Sequence, residues 1–101
     1  MFVKVSASGG VTLEDRDNFR AFKLVVECAD LDAVRRALAG TAEVPDHVTA
    51  WIFEAALRRR PEVAEDQAWQ QALGAMIEKA RPHGWIDDQR KAIKAHIEWA
   101  D

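Results

Sequence analysis

The sequence predicts an α+β fold in which a small N-terminal β-sheet, made of a hairpin and a βαβ-like unit, packs against a helical C-terminal half. Alternating apolar residues on either side of a Gly-Gly pair near the N-terminus predict the hairpin. A strand–helix–strand pattern follows over residues 22–53. Beyond residue 54, apolar residues recur at steps of three and four, which is typical of amphipathic helices.

The hairpin is predicted over residues 2–13. Apolar and polar side chains alternate over most of residues 2–7, and Val-Thr-Leu at 11–13 offers a short second strand. Ser-Gly-Gly at 8–10 separates the two, and glycine accepts the positive φ angles that tight hairpin turns require. The acidic segment 14–18 then connects the hairpin to the next element.

The βαβ-like unit begins with residues 22–27, which are rich in β-forming side chains and place alternate apolar residues on one face. Asp30 suits the N-cap of a helix over residues 31–38, and Gly40 is placed to end it. If the strands on either side of this helix are parallel, their crossover is expected to be right-handed.

The second strand of the unit is predicted over residues 48–53, where β-branched and aromatic side chains dominate. A single helix over residues 46–59 is the alternative, because it would place Val48 and Ile52 on one helical face. A short apolar run does not distinguish the two periods.

Three helices are predicted for the C-terminal half. The first spans residues 54–60 and stops at Pro61, and the second spans residues 64–80 and ends before Pro82 and Gly84. The third begins at Asp87 as its N-cap and runs to about residue 100.

Composition predicts one cytoplasmic domain over residues 1–101. Almost half of the residues are apolar (49%), no apolar run is long enough to span a membrane, and no secretory signal is recognisable at the N-terminus. The single cysteine fits a reducing compartment. The net charge is −3, and neither half of the sequence is basic, so a nucleic-acid partner, including DNA bound by a winged helix, is disfavoured.

Residues able to do chemistry do not form a recognisable constellation. Cys28 follows a predicted strand, but no nucleophile motif surrounds it. His47, His83 and His96 lack the spacing of metal ligands. We therefore expect no metal and no cofactor, and catalytic residues stay unassigned.

Four tryptophans in the absence of tyrosine support two hypotheses. The first is a protein-interaction module or accessory subunit, which associates with itself or with a partner through its C-terminal helix. Its expected contact residues are Ile93, His96, Ile97 and Trp99.

The alternative is a small-molecule-binding protein or small enzyme with a tryptophan-lined pocket between sheet and helices. The expected pocket residues are Trp51, Trp69, Trp85, His47 and Cys28.

Overall fold

The computed structural model describes residues 1–28 and 30–100. Within these ranges it contains seven β-strands, all in one mixed sheet, and three α-helices. The strands are β1 (Phe2–Val5), β2 (Val11–Glu14), β3 (Lys23–Val26), β4 (Ala42–Glu43), β5 (Thr49–Phe53), β6 (Ile86–Asp87) and β7 (Ala92–Trp99). The helices are α1 (Leu31–Ala37), α2 (Glu54–Arg58) and α3 (Gln67–Ala80), and α3 is followed by a 3-10 turn at Arg81–His83.

The strand order in the sheet is β2-β1-β3-β7-β5-β4, and β6 pairs separately with β7. The predicted hairpin is confirmed, because β1 and β2 are antiparallel and Gly9 has a φ of 92° in the turn between them. β1, β3 and β7 are parallel to one another, whereas β5 runs antiparallel to β7. The last strand in the sequence therefore lies near the middle of the sheet.

The predicted small sheet packed against a helical C-terminal half is wrong, because the segment expected to form the last helix is strand β7. Its apolar pattern explains the error. Ile93 and Ile97 are four residues apart, and residues at this spacing lie on the same face in a helix and also in a strand. Ala95 is buried between them, which completes the period of two that only a strand uses.

Asp87, the predicted cap of that helix, makes the contacts of a helix cap in a different setting. Its Oδ1 accepts hydrogen bonds from the backbone N–H groups of Gln89 and Arg90, both at 3.1 Å. These bonds close the turn between β6 and β7, in which Lys91 has a φ of 52°. An aspartate can thus satisfy the same donors in a turn as at a helix start.

The βαβ-like unit also needs correction. β3 is parallel to β7 and β5 is antiparallel to it, so β3 and β5 run in opposite directions with β7 between them. The elements themselves are confirmed. The Asp30 side chain accepts the N–H of Ala33 at 2.8 Å at the start of α1, and β5 forms where a strand was preferred. The alternative helix over residues 46–59 is wrong.

The other two helices of the C-terminal half form close to their predicted positions. α2 ends before Pro61, and α3 starts after Asp66, whose side chain accepts the N–H of Trp69 at 3.0 Å. Gly84, with a φ of 78°, reverses the chain after α3. No helix in the described ranges has the length and apolar character needed to cross a bilayer.

One face of the sheet is buried by the helices. Val3, Leu24 and Ile97 are register neighbours on this face and are at most 3% exposed. The opposite face carries more polar side chains, such as the register neighbours Thr49 and His96. The core residues in or beside helices are Val34, Leu38, Leu57, Trp69, Leu73 and Ile77.

Candidate functional site

The candidate site lies beside a gap along one edge of β7. β5 pairs with β7 from Ala92 to His96, along the edge of β7 that is opposite the gap. β6 and β3 share the other edge, where β6 pairs with Ala92–Ile93 and β3 with His96–Trp99. Between them, the Lys94 N–H donates to the carbonyl of Trp85 at 2.8 Å.

A groove of about 920 Å³ opens at this gap. Its lining comes from the segment before β3, the start of β5, one side of α3, the turn after α3, and β7. It reaches both faces of β7, because Ile93 belongs to the buried face and Lys94 and His96 to the open face. Most lining residues are apolar, and the largest of them are Phe19, Phe22, Met76, Trp85 and Ile93.

The first wall is the segment before β3, which Trp69 anchors to α3. The Trp69 indole N–H donates to the carbonyl of Arg16 at 2.8 Å, and the Phe19 ring lies 5.9 Å from the Trp69 ring. Trp69 itself is only 3% exposed. Its bulk belongs to the core, while its single donor fixes the backbone that carries Phe19 into the groove.

The N-terminal ammonium of Met1 fixes the same wall from the other side. It donates to the carbonyls of Asn18 at 2.8 Å and Ala21 at 3.1 Å. Burial lowers the pKa of this ammonium, an effect that the nearby Asp15 carboxylate opposes. The wall is therefore held by three hydrogen bonds that do not depend on a bound molecule.

The second wall is built around Trp85, which is 47% exposed. The His83 ring stacks on its indole, with a centroid distance of 4.4 Å and an interplanar angle of 20°. Gly84 between them supplies the left-handed conformation that brings the two rings together. Because the Trp85 carbonyl accepts the Lys94 N–H, the backbone of this wall is tied to β7.

The charged residues that line the groove are all of one sign. Arg20, Lys79 and Lys94 line it together with His83 and His96, and no aspartate or glutamate does so. The whole chain, in contrast, has 17 acidic residues and a net charge of −3. Among the described residues, none of the three cations lies within ion-pair distance of a carboxylate.

Of the residues predicted to line a pocket, only Trp85 does so. Trp51 lies outside the groove, 5.6 Å from the Arg90 guanidinium, so the indoles predicted to share a pocket do not converge. Cys28 donates through its sulfur to the carbonyl of Ser6 at 3.5 Å. The residues predicted to line one pocket are therefore dispersed over the fold.

The residues predicted to form a contact surface on a C-terminal helix are also separated. Ile93 and Ile97 are each 3% exposed and belong to the core. His96 lines the groove, and the Trp99 indole donates to the carbonyl of His47 at 2.7 Å. His47, predicted as a pocket residue, is exposed there, with its ring 5.8 Å from that of Trp99. A helical contact surface is thus excluded by the strand.

Sequence reasoning missed most of the groove residues, including Phe19, Met76, Lys79 and Lys94. One signal was present in the segment of β7, where Lys94 and His96 alternate with buried apolar residues. In a strand, this pattern places both side chains on the same face. The other lining residues come together only through the strand order.

Comparisons with models of known protein families, with curated proteins and with solved structures returned no match. In residues 1–28 and 30–100, no group of three or more His, Cys, Asp or Glu side chains is arranged to hold a metal ion.

Proposed function

We propose that this protein binds a small organic molecule in the groove between α3 and the gap in the sheet. The observation that carries the proposal is the groove itself. Its volume of about 920 Å³ lies within the range of roughly 300–1,000 Å³ that is typical of small-molecule sites. Its lining combines a mostly apolar surface with a few polar side chains, which is also typical of such sites.

The fixed walls support the proposal. The Trp69 and Met1 hydrogen bonds hold the first wall, and the bond from Lys94 to Trp85 holds the second. A site that is already formed avoids the entropy cost of ordering loops around the ligand. Such a site suits a protein whose role is binding, and we assign no catalytic step to it.

Association with a protein is the competing function, and it would use the same surface. Val48 and Trp85, the large apolar side chains that are most exposed in the described ranges, both line the groove. Large exposed apolar patches often mark contacts between proteins. A second copy or a partner would therefore cover the groove, and it would exclude a small ligand from it.

The test is a titration of the purified protein with N-phenylnaphthylamine, a neutral apolar dye whose fluorescence rises in apolar sites. We expect saturable binding at one site per chain. The variant Ala75→Trp places an indole on an α3 residue that lines the groove, and it should abolish this binding. Ala55→Trp makes the same change at an exposed helical alanine outside the groove and should leave it intact.

Sedimentation equilibrium, run in parallel, separates the two functions. A monomer that binds the dye supports the small-molecule function. A stable dimer that binds no dye, and that Ala75→Trp dissociates, would replace that function with self-association. We place this binding activity in the cytoplasm on the basis of the single cysteine.

A further inference from the structure

We propose that the ligand of the groove is an amphipathic organic anion, with an apolar chain or ring system and one carboxylate. The inference rests on the proposed binding function, because it names the chemistry of the molecule in the same groove. Two observations carry it: the cations that line the groove, which have no ion-pair partner among the described residues, and the apolar surface that lines the groove with them.

The cations come from separate parts of the fold. Arg20 precedes β3, Lys79 lies in the last turns of α3, and Lys94 is in β7. Because these elements are distant in sequence, folding alone brings their charges to one groove. No carboxylate of the described residues neutralises these three positive side chains, and a bound anion would supply the missing negative charge.

The lysines on the open face of the sheet differ in whether they have an ion-pair partner. Lys23 lies beside His96 in the sheet register, and its ammonium is 3.0 Å from the Glu98 carboxylate. Lys4, further along the same face, lies 3.8 Å from Glu27. Lys94 belongs to this open face as well, yet no carboxylate of the described residues lies within ion-pair distance of it.

The apolar part of the lining indicates that the rest of the ligand is apolar. Phe19 and Met76 line the groove with the Trp85 indole, and the alanines of α3 add small apolar side chains to the lining. A flexible alkyl chain or a flat ring system fits this surface, and its burial is favourable in proportion to the apolar area that it covers. A carboxylate on that body would accept charge-assisted hydrogen bonds from the lysines or from Arg20.

The experiment is displacement of N-phenylnaphthylamine by octanoate and by octanol, two ligands with the same chain length. Octanol is the more hydrophobic of the two, so a groove without a preference for anions would favour octanol. We expect the wild-type protein to release the dye at a lower concentration of octanoate. A higher salt concentration should lower the affinity for octanoate and leave the affinity for octanol unchanged.

Charge-removing variants identify the residues responsible. The variants Lys79→Met and Lys94→Met keep the length of the side chain. Each should lower the affinity for octanoate by about fivefold, which is the upper range of the effect of an exposed ion pair. The loss of affinity for octanoate should exceed any change in the affinity for octanol or for the dye. Lys91→Met removes a lysine just before β7 that does not line this groove, and it serves as the matched control.

The outcomes separate the two proposals. If the dye does not bind the wild-type protein, the binding function itself fails. If the dye binds but octanol displaces it at the same or a lower concentration than octanoate, the binding function stands. The proposal of an anionic ligand is then wrong. Equal octanoate affinities for Lys79→Met, Lys94→Met and Lys91→Met would also overturn it. The salt dependence of octanoate binding to the wild-type protein tests the anionic ligand even if the variants fail to fold.

Discussion

Arg60 and Glu62 form an ion pair, with 3.1 Å between Arg60 Nε and Glu62 Oε1, that covers the outer edge of the sheet. The Arg60 guanidinium donates to the carbonyl of Val11 at 2.7 Å, and the Glu62 carboxylate accepts the N–H of Leu13 at 2.7 Å. Both partners belong to β2, which is the edge strand at the beginning of the sheet order. The two side chains thus take the place of a neighbouring strand, at an edge that would otherwise be open to pairing with another chain.

Glu62→Gln should lower the free energy of unfolding by about 1–2 kcal/mol, because three charge-assisted hydrogen bonds lose their anion. Urea denaturation, followed by circular dichroism, measures this free energy of unfolding. Glu65→Gln, at an exposed position in the same loop, is the control and should leave the midpoint unchanged. Equal midpoints for the two variants would show that the ion pair does not stabilise the edge.

Acid should remove the stabilisation that the Glu62 carboxylate provides. Burial raises the pKa of Glu62, but the hydrogen bonds from Arg60 and from the Leu13 N–H outweigh it, so its pKa in the folded protein is below the ordinary value. The stabilisation is therefore complete above the unfolded pKa and is lost as the pH falls through the folded pKa. We expect the urea midpoints of wild type and Glu62→Gln to differ at neutral pH and to converge between about pH 5 and pH 3. A difference that stays constant over this range would contradict the assignment.

Gly74→Ala should raise the free energy of unfolding by about 0.5–1 kcal/mol, because alanine is the better residue in the interior of a helix. A Cβ added at Gly74 would lie 3.6 Å from the end of the Arg58 side chain, which is an ordinary van der Waals contact. Thermal unfolding measures the change. Gly84→Ala is the opposing control, because the φ of 78° there makes alanine destabilising. Loss of stability in Gly74→Ala would mean that α3 requires the glycine for closer packing than this contact shows.

Trp69→Phe should weaken dye binding to the groove, because the Arg16 carbonyl loses its donor and the wall that carries Phe19 is released. The fluorescence titration with N-phenylnaphthylamine measures the effect. Trp51→Phe makes the same change outside the groove and should leave the affinity unchanged. If both variants bind like wild type, the hydrogen bond to Arg16 does not shape the site.

Local signals in the sequence were sufficient for elements whose ends are marked by their own residues. Asp30 caps α1 and Gly9 turns the hairpin, and neither depends on distant neighbours. β4 and β6 are two residues each, too short for any period, and they exist through their pairing with β5 and β7. The groove could not be predicted for the same reason, because Phe19, Met76 and Lys94 meet only after β7 has taken its place between β3 and β5.

The position of β7 also determines when the protein can fold. β1 and β3 lie on one side of it and β5 on the other, so the two parts of the sheet have no shared strand until β7 is present. A nascent chain that has left the ribosome only as far as α3 lacks the strand that joins these two parts of the sheet. We therefore expect the domain to complete its structure after β7 has been synthesised. Its contacts of long sequence separation should make that step slow in comparison with helix formation.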